Sequence, residues 1–465
     1  MPCHYRSFTP GTFDPLMLFV NLCPEGPGFL ESASHAPRTG RHSIVPLRRT
    51  ESWRLDEAGL LHLGADGRMT PLAGDPFQVL GRILSEREVN RCQGAGPSAD
   101  KEPVPACFFP GGFFGYFAYD LAGRIERLPR RARRDRPVPQ FWLDWVDLTA
   151  VYDHDTGTLT LATVDPTVDL AVLEHEVRRA LRRPIPGLSP AKISPPRPLL
   201  RQEEFVTMVE RVRNYIAAGD IYQANLSCRF DGTFTGSATD LYARLRRINP
   251  SPFACLLRSP GLEIVSSSPE RLVSLHEGIA ETRPIAGTRR RGSDRPEDSR
   301  LGEELLAHPK ERAEHIMLLD LERNDLGKVC RTGSVTVDEL MVLERYSHVT
   351  HIVSNVRGEL RADQGPLDLL RATFPGGTIT GVPKKRCMEI IEELEPVGRG
   401  TYTGSAGYIS VTGDMDLNIL IRSFQKFGDE VTYQVGAGIV ADSVPEREWE
   451  ECLAKGEAMR LALAE

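Results

Sequence analysis

TYTGSAGYISVTGDMDLNILIRSFQKFGDEVTYQVGAGIVADS, residues 401–443, and the following EREWEECLAKGEAMRLALAE, residues 446–465, decide the fold class. Within the first stretch, TGSAGYISV, NILIRSFQKF and EVTYQVGAGIVADS are short runs of strand-forming residues separated by Gly and Asp turns. The second stretch has the pattern of a closing helix. Strands joined by tight turns pair antiparallel, so this end of the chain predicts α+β structure rather than alternating βαβ units.

The same pattern extends upstream. RQEEFVTMVERVRNYIAAGD, residues 201–220, places Phe205, Val209, Val212 and Ile216 at helical spacing, with Gly219 as the stop. CLLRSP, EIVSSSP, RLVSLH and IAETRPIAG are strand candidates, and HPKERAEHIMLLDLERNDL is a helix. FPGGTITGVPKKRCMEIIEELEP is a glycine-rich turn feeding a helix. Near the N-terminus, FFPGGFFGYFAYDL suggests a buried strand and turn. WLDWVDLTAVYDHDTGTLTLATV suggests a hairpin turning at Asp153–Gly157. The Pro-rich run Arg182–Leu200 breaks the pattern. It divides an N-terminal region, 1–185, from a C-terminal region, 201–465, with 186–200 expected as a linker.

The chain has 465 residues, 40% apolar and 26% charged, with a formal net charge of -7. These are values of a globular protein with room for a large core. The basic run Arg130, Arg131, Arg133, Arg134 and Arg136 is flanked by acids and prolines and is expected to be a solvated loop, so no nucleic-acid partner is implied. No apolar run is long enough for a membrane span, and no secretory signal is present. Nine cysteines are scattered without a C-x-x-C pair, which predicts free thiols and a cytoplasmic location.

Glu311 and Glu314 lie three apart on one expected helix, and Glu448 and Glu451 repeat that spacing on another, with Lys455 four further on. Either pair alone is commonly a solvated helix face. Brought together, the four carboxylates repel unless a cation sits among them, and hard divalent ions take oxygen ligands. Glu270 follows a strand and a proline. His351 begins an apolar run, and Thr378 and Thr380 lie among glycines. Tyr402 opens a glycine-bounded strand, and Arg422 falls within an apolar strand, where a guanidinium requires an anionic partner. Gly436 and Gly438 allow close backbone approach. An Arg, a Tyr and bare amides suit one carboxylate and Mg²⁺ suits a second, which points to a dicarboxylate ligand.

GDIYQANLS, SSSPERL, ETRPIAGTRRRG, KERAEHIMLLDLERNDLG, HVTHIVSNVRG, FPGGTITGVPKKRCMEIIEELEP, YTGSAGYIS, LNILIRSF, VGAGIVADS and EREWEECLAK together resemble the chorismate-utilising enzymes. That family includes component I of anthranilate synthase and of aminodeoxychorismate synthase. The N-terminal half matches more loosely, through FLESA, GRHSIV, GGFFGYFAYDL and ERLP. The resemblance implies two packed, mainly antiparallel sheets with helices outside. It implies Mg²⁺ bound by Glu314 and Glu451, supported through water by Glu311 and Glu448. Chorismate would be held by Thr378, Tyr402, Arg422, Gly436, Gly438 and Lys455. His351 would lie near the departing C4 hydroxyl, and Glu270 would be a general acid or base.

Water-using relatives carry Lys where this chain has Gln223, so the resemblance implies ammonia as nucleophile, supplied by a separate glutamine amidotransferase subunit. FPGGTITG, PKKRCMEII, RGTYTGSAGYIS, MDLNILIRS and WLDWVDL resemble the aminodeoxychorismate branch, which aminates C4 in the route to p-aminobenzoate and folate. Ala286, in PIAGT, stands where that branch usually has a reactive lysine and favours the anthranilate branch, which serves tryptophan synthesis. The wider resemblance is followed here. FLESA, with Glu31 and Ser32, resembles the segment where anthranilate synthases bind inhibitory tryptophan. A catalytically dead chorismate-binding or regulatory homologue is the alternative of a different class, disfavoured by the intact set Glu314, Glu451, His351 and Arg422.

Overall fold

A computed structural model describes residues 3–34, 39–89, 109–185, 187, 191–345 and 349–464. Its spine is a long antiparallel ribbon of two strands, His42–Asp56 and Phe141–Asp153, in register from His42 opposite Asp153 to Leu55 opposite Phe141. Register shifts between Pro46 and Glu51 mark local irregularities, where a ribbon bends.

Two arms leave this ribbon. From the edge of His42–Asp56 the first arm runs through Gly28–Glu31, Phe253–Ser259, Leu262–Ser268, Ser423–Phe427, Glu430–Ile439 and Gln223–Phe234. From the opposite edge the second runs through Gly112–Phe117, Ser405–Ser410, Met415–Asn418, Arg271–His276, Ile279–Thr282 and Val349–Glu359. The expected two packed sheets are thus the arms of one continuous antiparallel network.

Alternation along the strands explains the layering. On Gly112–Phe117, Phe114 and Tyr116 face the core between the arms, whereas Phe113 and Phe117 join the outer core of the second arm. On Phe253–Ser259, Cys255 and Leu257 face the same inner core, while Ala254 and Leu256 face the outer core of the first arm. Helices cover both outer faces. Gln202–Ala217, Ala238–Ile248 and Pro445–Ala464 cover the first arm; Pro76–Glu86, Pro309–Gly327 and Pro366–Thr373 cover the second. Helix Lys384–Leu394 serves both, through Cys387 and Ile390 on one side and Met388 and Ile391 on the other.

Several expectations change. The expected linker contains a strand, Ile193–Pro198, paired with Gln223–Phe234; its residues 186 and 188–190 lie outside the described set. Both halves of the sequence contribute strands to each arm, as the resemblance implied: Gly28–Glu31 pairs with Phe253–Ser259 and Gly112–Phe117 with Ser405–Ser410. Arg130, Arg131 and Arg133 of the basic run are exposed, as expected of a solvated loop, whereas Arg134 and Arg136 are tied down by ion pairs. Arg134 binds Glu392 at 2.5 Å and Asp120 at 2.9 Å, and the Arg131 amide also reaches Glu392. Cys23, Cys228, Cys255, Cys330, Cys387 and Cys452 are free thiols, but Cys3 is disulfide-bonded, contrary to the expectation of free thiols throughout. No helix among the described residues is long and apolar enough to cross a membrane.

Phe114 is fully buried between the arms. Phe114→Ala is expected to cost about 3–5 kcal/mol in urea-induced unfolding. A loss under 1 kcal/mol would show that the two inner faces do not pack on one another.

Candidate active site

A buried ion pair organises the region where the site forms. Arg399 donates to Glu395 at 2.7 and 3.0 Å, to the Ile379 carbonyl at 2.9 Å and to the Asn225 carbonyl at 2.7 Å. Glu395 also accepts the Ser227 amide and hydroxyl, both at 2.9 Å. One pair therefore fixes strand Gln223–Phe234, the glycine-rich turn through Ile379, and the turn at Tyr402, whose ring lies 5.6 Å from the guanidinium.

Glu270 follows strand Leu262–Ser268, as its position after the proline suggested. It is buried, accepts the Thr378 hydroxyl at 2.8 Å and bonds the Ile285 backbone. Burial pushes its carboxyl up to about 7 against these bonds and the attraction of Arg422 and Lys455. Near neutrality it can hold a proton, as a general acid requires.

Arg422 does not lie within a strand, as the apolar pattern had suggested. It falls between Met415–Asn418 and Ser423–Phe427 at φ 51°. Burial lowers its pKa, and among the described residues no carboxylate lies within ion-pair distance of it. His351, on strand Val349–Glu359, is bonded to the Gly287 backbone. Burial and the nearby Arg422 bring it down to about 4, so its ring is neutral at pH 7. Ala286 is buried beside Ile285, so position 286 adjoins the Glu270 carboxyl without offering an amine.

The floor of the site is a patch of glycines under two amide side chains. Gln223 donates to Glu314 at 2.7 Å. A Cβ on Gly438 would stand 2.7 Å from the Gln223 amide nitrogen and 3.7 Å from Glu314. A Cβ on Gly436 would stand 2.5 Å from Asn225 Oδ1 and 2.8 Å from the Tyr402 hydroxyl. Lys455 donates to the Gly436 carbonyl at 3.0 Å and pairs with Glu451 at 2.7 Å.

The two acidic helices do approach each other. Burial raises the Glu314 carboxyl, and Glu311 and Glu451 raise it further. Burial likewise raises Glu448, with Glu451 adding to it. Arg289 holds Glu311 at 3.1 Å, and Lys310 acts on both Glu314 and Glu448. Among the described residues no three such side chains are gathered closely enough to form a finished metal cluster. The donor type nevertheless fits a hard divalent ion: all four are carboxylates, and their mutual repulsion is what a dication relieves.

The residues that match the model of the chorismate-binding enzymes are 53–461. The chain belongs to the chorismate-binding enzyme family. It is 49% identical over 361 residues to an anthranilate synthase component I-like protein of Synechocystis, covering 76% of this chain and 73% of that one. It is 44% identical over 365 residues to aminodeoxychorismate synthase component 1 of Bacillus subtilis, covering 76% and 77%. The crystal structure of anthranilate synthase component I from Streptococcus pneumoniae superposes with a TM-score of 0.76 at 32% identity, covering 92% of this chain and 93% of that one.

Within this chorismate-binding enzyme, Thr380 is structural: its hydroxyl bonds the Gly376 carbonyl at 2.8 Å. Inspection of the sequence missed Asn225, the Arg399–Glu395 pair and Glu322. Stepping two residues along the strand from Gln223 finds Asn225. The i,i+4 spacing of Glu395 and Arg399 is visible but ordinary. Glu322, buried and pushed up to about 8, has no local signal. Glu31 and Ser32 line a separate cavity of about 430 Å³ with His42, Arg271, Tyr408 and Asp416.

The raised Glu270 carboxyl has a consequence for stability. Its contribution is fully present below the unfolded value of 4.5 and is lost as pH rises through about 7. Glu270→Gln removes that loss. The variant is expected to melt higher than the parent at pH 8, by on the order of 3 kcal/mol, with no gain below pH 4.5. Equal melting curves at both pH values would place Glu270 in water.

Proposed function

We propose that the chain is the synthase component of a cytoplasmic aminodeoxychorismate synthase. It replaces the C4 hydroxyl of chorismate with ammonia, giving 4-amino-4-deoxychorismate and water. The observation that carries this reading is the juxtaposition of Glu270, able to hold a proton near neutrality, with Arg422, a half-buried guanidinium with no ion-pair partner among the described residues. One can protonate a departing hydroxyl, and the other can bind a substrate carboxylate. Thr378, Tyr402 and Lys455, with the backbone at Gly436 and Gly438, complete the cradle; neutral His351 would face the departing oxygen.

Glu314 and Glu451 would hold Mg²⁺ directly, with Glu311 and Glu448 behind them. When bound, the ion neutralises the second carboxylate of the substrate. Gln223 cannot serve as a base for water, which favours ammonia, delivered by a separate glutamine amidotransferase subunit. As the carbon–nitrogen bond forms at C4, the carbon–oxygen bond breaks. The proton of Glu270 leaves with the oxygen as water. The new ammonium group then returns one proton to Glu270.

Motifs from FPGGTITG to MDLNILIRS support amination at C4. Ala286 favours the second reading, anthranilate synthesis. Under the first reading, ammonia attacks directly, because a buried methyl stands where a reactive amine would be. Purified protein with chorismate, Mg²⁺ and ammonium is expected to yield p-aminobenzoate only after addition of the lyase that completes it. Anthranilate fluorescence without lyase would overturn the C4 assignment, and unconsumed chorismate would overturn the catalytic one. The cavity beside Glu31 and Ser32 is proposed to accept tryptophan as an inhibitor. A rate unchanged by added tryptophan would remove that role.

A further inference from the structure

Strand Gln223–Phe234 carries two carboxamides on one face, at Gln223 and Asn225. Each has a buried carbonyl oxygen that no donor among the described residues reaches. For Gln223 the orientation is set by its neighbour. Its nitrogen donates to the Glu314 carboxylate at 2.7 Å, so its oxygen must turn away. Asn225 is held by its backbone, through the Arg399 guanidinium at 2.7 Å and the Thr380 carbonyl at 2.9 Å. Its side chain lies over Gly436, next to the Tyr402 hydroxyl. The paired strand places Gly438 and Gly436 beneath the two amides, and a methyl at either position would collide with them.

Two buried acceptors without donors are costly unless a ligand supplies hydrogens. Chorismate is poor in hydrogens of that kind. Its carboxylates and enol ether only accept, and its single hydroxyl is the group that leaves. Ammonia carries three N–H hydrogens and one lone pair.

We propose that Asn225 is a nucleophile-positioning residue, which with Gln223 holds the incoming ammonia. The two carbonyl oxygens accept two N–H hydrogens, and the lone pair points away from the strand toward the substrate ring. Gln223 sits at the Glu314 end of this cradle and Asn225 at the Tyr402 end. This inference rests on the ammonia-dependent reading given above.

Steady-state kinetics with ammonium as the varied substrate test it. Asn225→Leu keeps the size of the side chain and removes the acceptor. It is expected to raise the KM for ammonia roughly fivefold to tenfold, the effect of one lost hydrogen bond, while the KM for chorismate stays within about twofold. Asn225→Asp retains an acceptor and is expected to show a lower ammonia KM than Asn225→Leu. An unchanged ammonia KM in Asn225→Leu overturns the proposal. So does a rise confined to the chorismate KM, which would assign the acceptor to the C4 hydroxyl. Should Asn225→Leu fail to fold, Asn225→Asp decides: an ammonia KM raised tenfold despite the retained acceptor overturns the proposal. Failure of the parent enzyme to consume chorismate with ammonium would defeat the functional reading instead, and shows separately in the same assay.

Discussion

The Arg399–Glu395 pair is the constraint on which the site depends. Both side chains are almost wholly buried, and every charge-bearing end is hydrogen-bonded. A buried pair of this kind contributes little net stability, yet losing one partner leaves an uncompensated charge at a cost of about 3–5 kcal/mol. Its value is geometric. The same guanidinium binds carbonyls from two segments far apart in sequence, Asn225 and Ile379, and lies against Tyr402. Three segments are thereby fixed relative to each other, with the Asn225 and Ile379 side chains left free of the fastening.

Around this fixed frame the charges are arranged by omission. Among the described residues Arg422 has no carboxylate within ion-pair distance, and the acidic helices have more carboxylates than nearby cations. Glu270, pushed up to about 7 by burial, can hold a proton near neutrality where another acid would hold an ion-pair partner. A structural network would pair these groups with one another, as Arg283 pairs with Glu344 and Arg229 with Asp135 elsewhere in the same fold. Keeping them apart leaves each able to meet a ligand of the opposite kind.

Much of this was legible before any coordinates. Helix Gln202–Ala217 follows from periodicity, with Phe205, Met208, Val209 and Val212 buried on one face, and the strands near the C-terminus follow from runs of strand-forming residues between turns. The Glu-x-x-Glu spacing and the turn chemistry of FPGGTITG marked side chains that do converge. What stayed hidden depends on partners distant in sequence. Strand Ile193–Pro198 looked like a linker because prolines suppress the strand signal, yet at the sheet edge only one side of it needs donors. Continuity of the sheet through His42–Asp56 and Phe141–Asp153 could not be read from either strand alone, since each looks like part of an ordinary hairpin.

Arg422 shows where a local rule fails. An apolar run predicted an extended residue there. The chain instead adopts φ 51° at Arg422 and φ 59° at Thr403. The segments carrying these residues bond each other, through the Thr403 amide to the Leu420 carbonyl at 2.8 Å and the Leu420 amide to the Gly404 carbonyl at 2.9 Å. A non-glycine residue in this conformation costs about 1–3 kcal/mol and persists only where neighbours over-determine it. Glycine at 422 would relieve the backbone but delete the guanidinium whose charge acts on Glu270. The break in the strand at Arg422 is thus held by bonds between neighbouring segments, and the guanidinium it carries acts on Glu270 by its charge without pairing with it.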